Sequence, residues 1–185
     1  MPVKTNAELD AYFNTGDQPS ESNFQDLIDT IQPPLVTLTE TTGTVNFTTA
    51  DHGFRQVVVP DLTGTMTINL PSSFTALYDW FHIVYLGDGT DADDNNLVIK
   101  TGTQDSQFFS GNIIHNTDIQ NDNSDDAVDN TFNDLIQANG TNHDILTCTT
   151  ISHLDLWFQA KSSTVWYVWG NTFSPTINDV VWSAS

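Results

Sequence analysis

Asp91, Asp93 and Asn95 occupy alternate positions in the acidic stretch GDGTDADDNN. That spacing matches the first three ligands of a helix-loop-helix calcium loop, where side-chain oxygens converge on a hard cation. The rest of the pattern fails. Asn96 stands where the loop needs a glycine, and Gly102 where it needs the bidentate glutamate, so an EF-hand is rejected. Two readings stay open for the acidic loops at 87–96 and 117–134. In one, Asp88, Asp91, Asp93 and Asp94, or Asp122, Asp125, Asp126 and Asp129, hold Ca2+ more loosely. In the other, both loops are solvated acid, the commoner state. No other cofactor is expected.

Little else in the sequence is equipped for catalysis. The histidines fall at 52, 82, 115, 143 and 153, and no two have the i, i+4 spacing of a helical zinc motif. His82 and His153 lie at strand positions and read as packing or surface residues. Cys148 is the only cysteine. Its run, ILTCTTI, makes it a small buried hydrophobe, and no disulfide framework exists. There is no G-x-S-x-G, no phosphate-binding loop and no dinucleotide fingerprint. Paired carboxylates suit glycoside hydrolysis, but here the acids are aspartates in polar loops, where ionised, solvated groups are expected. The chain is not expected to be an enzyme.

The elements that carry these residues are mostly strands. From residue 35 onward the apolar pattern has a period of two. LVTLTE, TVNFTT, RQVVVP, TMTINLP, FHIVYLG, NLVIKTG, GNIIHN, DILTCTTI, LDLWFQA and TVWYVWG each read as a strand, with Thr, Val and Ile on half-buried pleats. No helical crossover alternates with them, so a parallel α/β sheet is not expected. The fold class is mainly β, an antiparallel β-sandwich or jelly roll, spanning 35–170. Within the 117–134 insertion and just after it, Phe132, Leu135 and Ile136 suggest a helical turn.

The first 34 residues have a different period. Thr5 and Glu8 fit a capping box, opening a short helix with Leu9, Tyr12 and Phe13 on one face. Gly16 ends it, and Asp17 or Ser20 caps a second helix. Phe24, Leu27, Ile28 and Ile31 form that helix's stripe, and Pro33-Pro34 closes it. Helices this short are marginal alone, because nucleation is costly. Their apolar faces must dock either on the β-body or on a partner, and the arm reads as an attachment element. The tail, 171–185, carries Val180, Val181 and Trp182, an apolar end that must be tied down. It either finishes the sheet of its own subunit or lies across a neighbour as a second partner-binding segment.

Five tryptophans bear on partner binding. Trp80 and Trp157 fall in or beside apolar strands and are expected in the core. Trp166 and Trp169 differ by three, so one regular strand turns them to opposite faces. One of them is expected at a surface, as a subunit contact in preference to a sugar platform.

Charge narrows the partners. Four Lys and Arg stand against 24 acids, a net charge of −20. With no basic stripe, phosphate neutralisation fails, so nucleic acid is not a partner. An anionic membrane is excluded on the same ground, and no apolar run is long enough to span a bilayer. The acid reads as serving solubility and mutual repulsion between copies, or as suiting a salty or calcium-containing medium where cations screen it.

The arm also carries a resemblance. TNAELDAYFNTGDQPSESNFQDLIDTI resembles a short N-terminal segment that recurs in bacteriophage structural proteins, of the form F-x-T-G-D-x-P-(S/T)-x-x-x-F-x-D-L-I-D-(S/T)-I. Phe13, Thr15, Gly16, Asp17, Pro19, Ser20, Phe24, Asp26, Leu27, Ile28, Asp29, Thr30 and Ile31 occupy the matching positions. In tail fibres the segment precedes a much longer chain; here the body is short, which fits a compact head or tail component. The resemblance implies a virion structural protein, made in the host cytoplasm and placed on the outer surface of the particle. It implies a capsid decoration, or cement, protein that contacts the major capsid protein or other virion proteins, with a homotrimer expected by analogy. A short tail-fibre or tail-adaptor protein is the alternative. From another class, a carbohydrate-binding or carbohydrate-active β-sandwich protein competes with both.

Overall fold

A computed structural model of the chain describes residues 6–12, 18–31, 35–73, 79–85, 95–118, 131–174 and 179–185. Two helices come first, α1 (Asn6–Tyr12) and α2 (Glu21–Ile31). Ser20 caps α2: its Oγ accepts from Asn23 N at 3.3 Å, and Asn23 Oδ1 accepts from Ser20 N at 2.8 Å. This is the reciprocal arrangement of a capping box, with Asn23 in the place of Glu.

The body alternates between two sheets. β1 (Val36–Thr37), β3 (Gln56–Val59) and β5 (Trp80–Tyr85) belong to one; β2 (Gly43–Asn46), β4 (Met66–Asn69) and β6 (Leu97–Lys100) belong to the other. Within each set the neighbours are parallel. The chain therefore winds as a flattened roll, crossing to the opposite sheet and returning one strand further on. Between β2 and β3 it makes one helical turn, α3 (Thr49–His52), capped by Thr48.

The second half closes the roll. β7 (Phe108–Asp118), β8 (Thr131–Asn139), β10 (His153–Ser162) and β11 (Val165–Ser174) extend the first sheet to seven strands, ordered β1-β3-β5-β10-β11-β7-β8. β9 (Ile145–Cys148) and β12 (Val180–Ser183) bring the second to five, ordered β12-β9-β6-β4-β2. The body is thus mainly β and sandwich-like, but its sheets are mixed, not antiparallel. β7 and β11 also run parallel. A parallel pair needs a long crossover. The sequence offers no helix for it: in the first half a strand in the facing sheet does the work instead, and between β7 and β11 the chain passes through β8, β9 and β10.

Register lines up apolar rows across strands. Val45, Ile68, Ile99, Leu146 and Trp182 form one row of the five-stranded sheet, and Met66, Leu97, Cys148 and Val180 another. Phe81, Phe158 and Val168 face them from the seven-stranded sheet, and all join a single core.

Of the two placements expected for residues 171–185, the structure shows the first, the segment finishing the sheets of its own subunit: β11 runs through Ser174, and β12 pairs with β9. Val180 is buried, and Trp182 packs on the core with its ring 5.2 Å from Phe109. Only Val181 of the three tail residues turns outward. The stretch around Phe132, Leu135 and Ile136 is strand β8, not a helical turn. Its partner β7 fixes a period of two, which turns Ile136 and Ala138 inward and Leu135 outward.

Candidate functional site

The acidic calcium candidates Asp88, Asp91, Asp93 and Asp94 lie outside the described residues, as do Asp122, Asp125, Asp126 and Asp129. Among the described residues, no group of three or more His, Cys, Asp or Glu side chains could hold a metal ion. No described helix is long and apolar enough to cross a membrane.

The buried titratable groups are built into the packing. His115 is fully buried on β7, with Nδ1 2.8 Å from Thr172 Oγ1 and Nε2 3.2 Å from Ser174 Oγ on β11. Cys148 is buried in the row between Leu97 and Val180, and burial, with the Asp179 charge second, pushes its thiol up to about 12. It is an inert core residue. His52, at the end of α3, stacks on Phe47 at 4.4 Å while its Nδ1 accepts from Thr48 N at 3.2 Å. Burial lowers its pKa, against the opposing pull of Asp51.

Two features stand outside the core. The first is the arm. α1 and α2 pack on each other, tied by Tyr12 Oη donating to Asp26 Oδ2 at 3.1 Å. Leu9, Tyr12 and Leu27 are half-buried. Phe24 is 50% exposed and Ile28 54%, one turn apart on α2. Among the described residues, no arm side chain belongs to the core cluster, whose members run from Leu38 onward. Phe13 and the side chain of Ile31 lie outside the described residues.

The second is the outer face of the seven-stranded sheet. β10 alternates cleanly, with Leu154, Leu156, Phe158 and Ala160 inward and Asp155, Trp157 and Gln159 outward. Pairing sets Trp80 and His82 of β5 on one side of this row, and Tyr167 and Trp169 of β11 on the other. The rings stack across strands. Trp157 lies 4.0 Å from His82 at 12° and 6.0 Å from Trp169 at 10°. Trp80 is 5.1 Å from Trp157, Tyr167 is 5.4 Å from Trp169, and Lys161 Nζ sits 6.0 Å over Tyr167. His82 Nε2 and Asp155 Oδ1 are 2.8 Å apart.

The placement of Trp166 and Trp169 agrees with their odd spacing: Trp166 is buried and Trp169 faces out. Trp80 and Trp157 were expected in the core and are not there; both stand half-buried on the outer face. The signal was present in LDLWFQA. Trp157 shares its parity with Asp155 and Gln159, so an inward tryptophan would drag a carboxylate and an amide with it.

A sugar platform needs an open ring face. Trp157 has His82 stacked on one side and Trp169, more offset, on the other, so its own ring is not an open platform. Further out, Ile114 and Leu135 are directly paired and exposed. Comparison with family models, with curated proteins and with solved structures finds no match to this chain.

Proposed function

We propose that this chain is a structural protein of a tailed-phage-like particle, a capsid decoration protein that docks through its N-terminal arm and displays its β-body outward as a homo-oligomer. One observation carries the reading: among the described residues, Phe24, Leu27 and Ile28 of α2 lie outside the core cluster. Phe24 and Ile28 are half-exposed, in the segment whose residues resemble the phage pattern. Burying what remains open of the two side chains contributes about 1.5–3 kcal/mol. The 24 acids lie mostly in loops and in the arm, where they keep decorated particles apart in solution.

The stacked parallel coils favour one further reading, a short tail fibre, because such stacks grow along a single axis. The carbohydrate reading is weakened by the rings stacked on either side of Trp157.

The test is to mix the purified chain with heads and with tails of tailed-phage particles and to sediment the particles. The full chain is expected to sediment with heads. A Phe24→Ala/Ile28→Ala variant should bind about 10–100-fold more weakly, since 1.4 kcal/mol is tenfold in affinity. Sedimentation with tails alone supports the fibre reading, and no sedimentation with either overturns both.

A further inference from the structure

We propose that copies of this chain meet through the outer face of the seven-stranded sheet, around the stack of Trp80, Trp157 and Trp169. The inference deepens the reading above, resting on it only for the expectation that copies associate.

The first argument is charge. Two chains of net charge −20 approach each other only where like charges are absent. The acids are concentrated in loops, at sheet ends and in the arm; strands hold only Asp118, Asp134 and Asp155 among the described residues. Asp134 is exposed, but it pairs with the buried His115 and so has the parity of the opposite face of the sheet. The side chain of Asp118, at the end of β7, lies outside the described residues. That leaves Asp155 as the one described outward carboxylate on this face, and His82 is its partner at 2.8 Å. Amides and hydroxyls such as Ser110, Asn112 and Gln159 fill the rest.

Charge alone does not choose between the two sheets, because the outer face of the five-stranded sheet is also free of acid. Area does. Strands lie about 4.8 Å apart and rise about 3.4 Å per residue. The four central strands β5, β10, β11 and β7 then offer roughly 600 Å², and the flanking strands raise this to about 850 Å². A standard interface takes about 800 Å² from each partner. Five strands of four residues offer roughly 300 Å², the size of a packing contact.

Composition points the same way. Interface cores are enriched in Trp and Tyr and depleted of charge. The half-buried tryptophans are held in place by their own stack, so little side-chain freedom is lost on association. Ile114 and Leu135, 46% and 60% exposed, extend the apolar surface toward the β8 edge. A neutral oligosaccharide would not require the face to be free of charge, and it would find no open platform on Trp157.

The test is the mass of the full chain by light scattering across a dilution series at low salt. The chain is expected to exceed the mass of one copy. Asn112→Asp/Gln159→Glu, which adds two charges to the face without changing shape, should weaken association at least about tenfold. Thr44→Asp/Val181→Asp adds the same charge to the other sheet and should leave association unchanged. As a second readout, acrylamide quenching of tryptophan fluorescence should rise on dilution as the stack is uncovered. A single-copy mass at every concentration overturns the proposal. So does a face variant that associates like the parent, a control that dissociates, or quenching that ignores dissociation. A monomeric chain retained on a neutral-glycan column assigns the face to carbohydrate. Particle attachment through the arm is read separately, so either proposal can fail alone.

Discussion

Replacing Gly111 by alanine tests the feature of this fold that is hardest to anticipate, the parallel contact between β7 and β11. Gly111 has φ +137°, a region that L-residues rarely adopt. A Cβ there would lie 2.0 Å from the carbonyl oxygen of Val168 and 3.0 Å from its nitrogen and carbonyl carbon. All three are backbone atoms of the paired strand, so no side chain can swing away. The conformation costs about 1–3 kcal/mol, and forcing the strands apart adds about 1–3 kcal/mol as overpacking does. Gly43 provides the control. Its φ is +86°, yet an added Cβ meets nothing within 4 Å, so Gly43→Ala should lose only about 1–2 kcal/mol of conformational strain. Urea unfolding followed by tryptophan fluorescence reads both. With a slope of about 2 kcal/mol per molar, Gly111→Ala should lower the midpoint by about 1–3 M and Gly43→Ala by less than about 1 M. Equal midpoints for the two variants would refute the parallel packing of β7 on β11 at this distance, and with it the row that positions Trp169.

Three further outcomes are expected. Cys148 should resist thiol reagents in the folded protein at pH 8: with its pKa pushed up to about 12, thiolate is about one part in ten thousand, and labelling should follow global unfolding as urea is raised. Removing residues 1–34 should change stability by less than about 1 kcal/mol, in the range of surface changes, because the core holds no described arm residue; a melting scan that finds an unfolded body would show that the arm completes the core. For His52, burial holds the folded pKa below 6.5, so the unfolded chain binds the proton more readily. Its contribution is complete above pH 6.5 and is lost as pH falls through the folded value; stability measured from pH 7 to 5 should drop in the parent and drop less in His52→Gln.

Much of the body can be read from its sequence because the rule that builds it is local. In LDLWFQA or TMTINLP, alternate residues enter the core, and each run is a strand in the structure. The cap at Ser20 is equally local, needing only Asn23 three residues on. Partner choice is not local. Val57 pairs with Ile83 because the chain crosses to the facing sheet between them, and nothing within QVVV encodes that. β8 escapes for a related reason: Phe132, Leu135 and Ile136 have helical spacing, and only β7 alongside imposes the alternation that sends Leu135 outward. The outer aromatic stack could have been read from the parity of Trp157 with Asp155, but hydrophobicity alone draws a tryptophan to the core. Its stacking on His82 depends on the β5–β10 register, which no single strand contains.

Attachment by the arm is decided by particle sedimentation. Heads lacking this protein would be mixed with the full chain, or with the chain lacking residues 1–34, and pelleted. The account predicts saturable co-sedimentation of the full chain, and a folded, truncated chain left in the supernatant. Equal pelleting of both forms, or of neither, would contradict it.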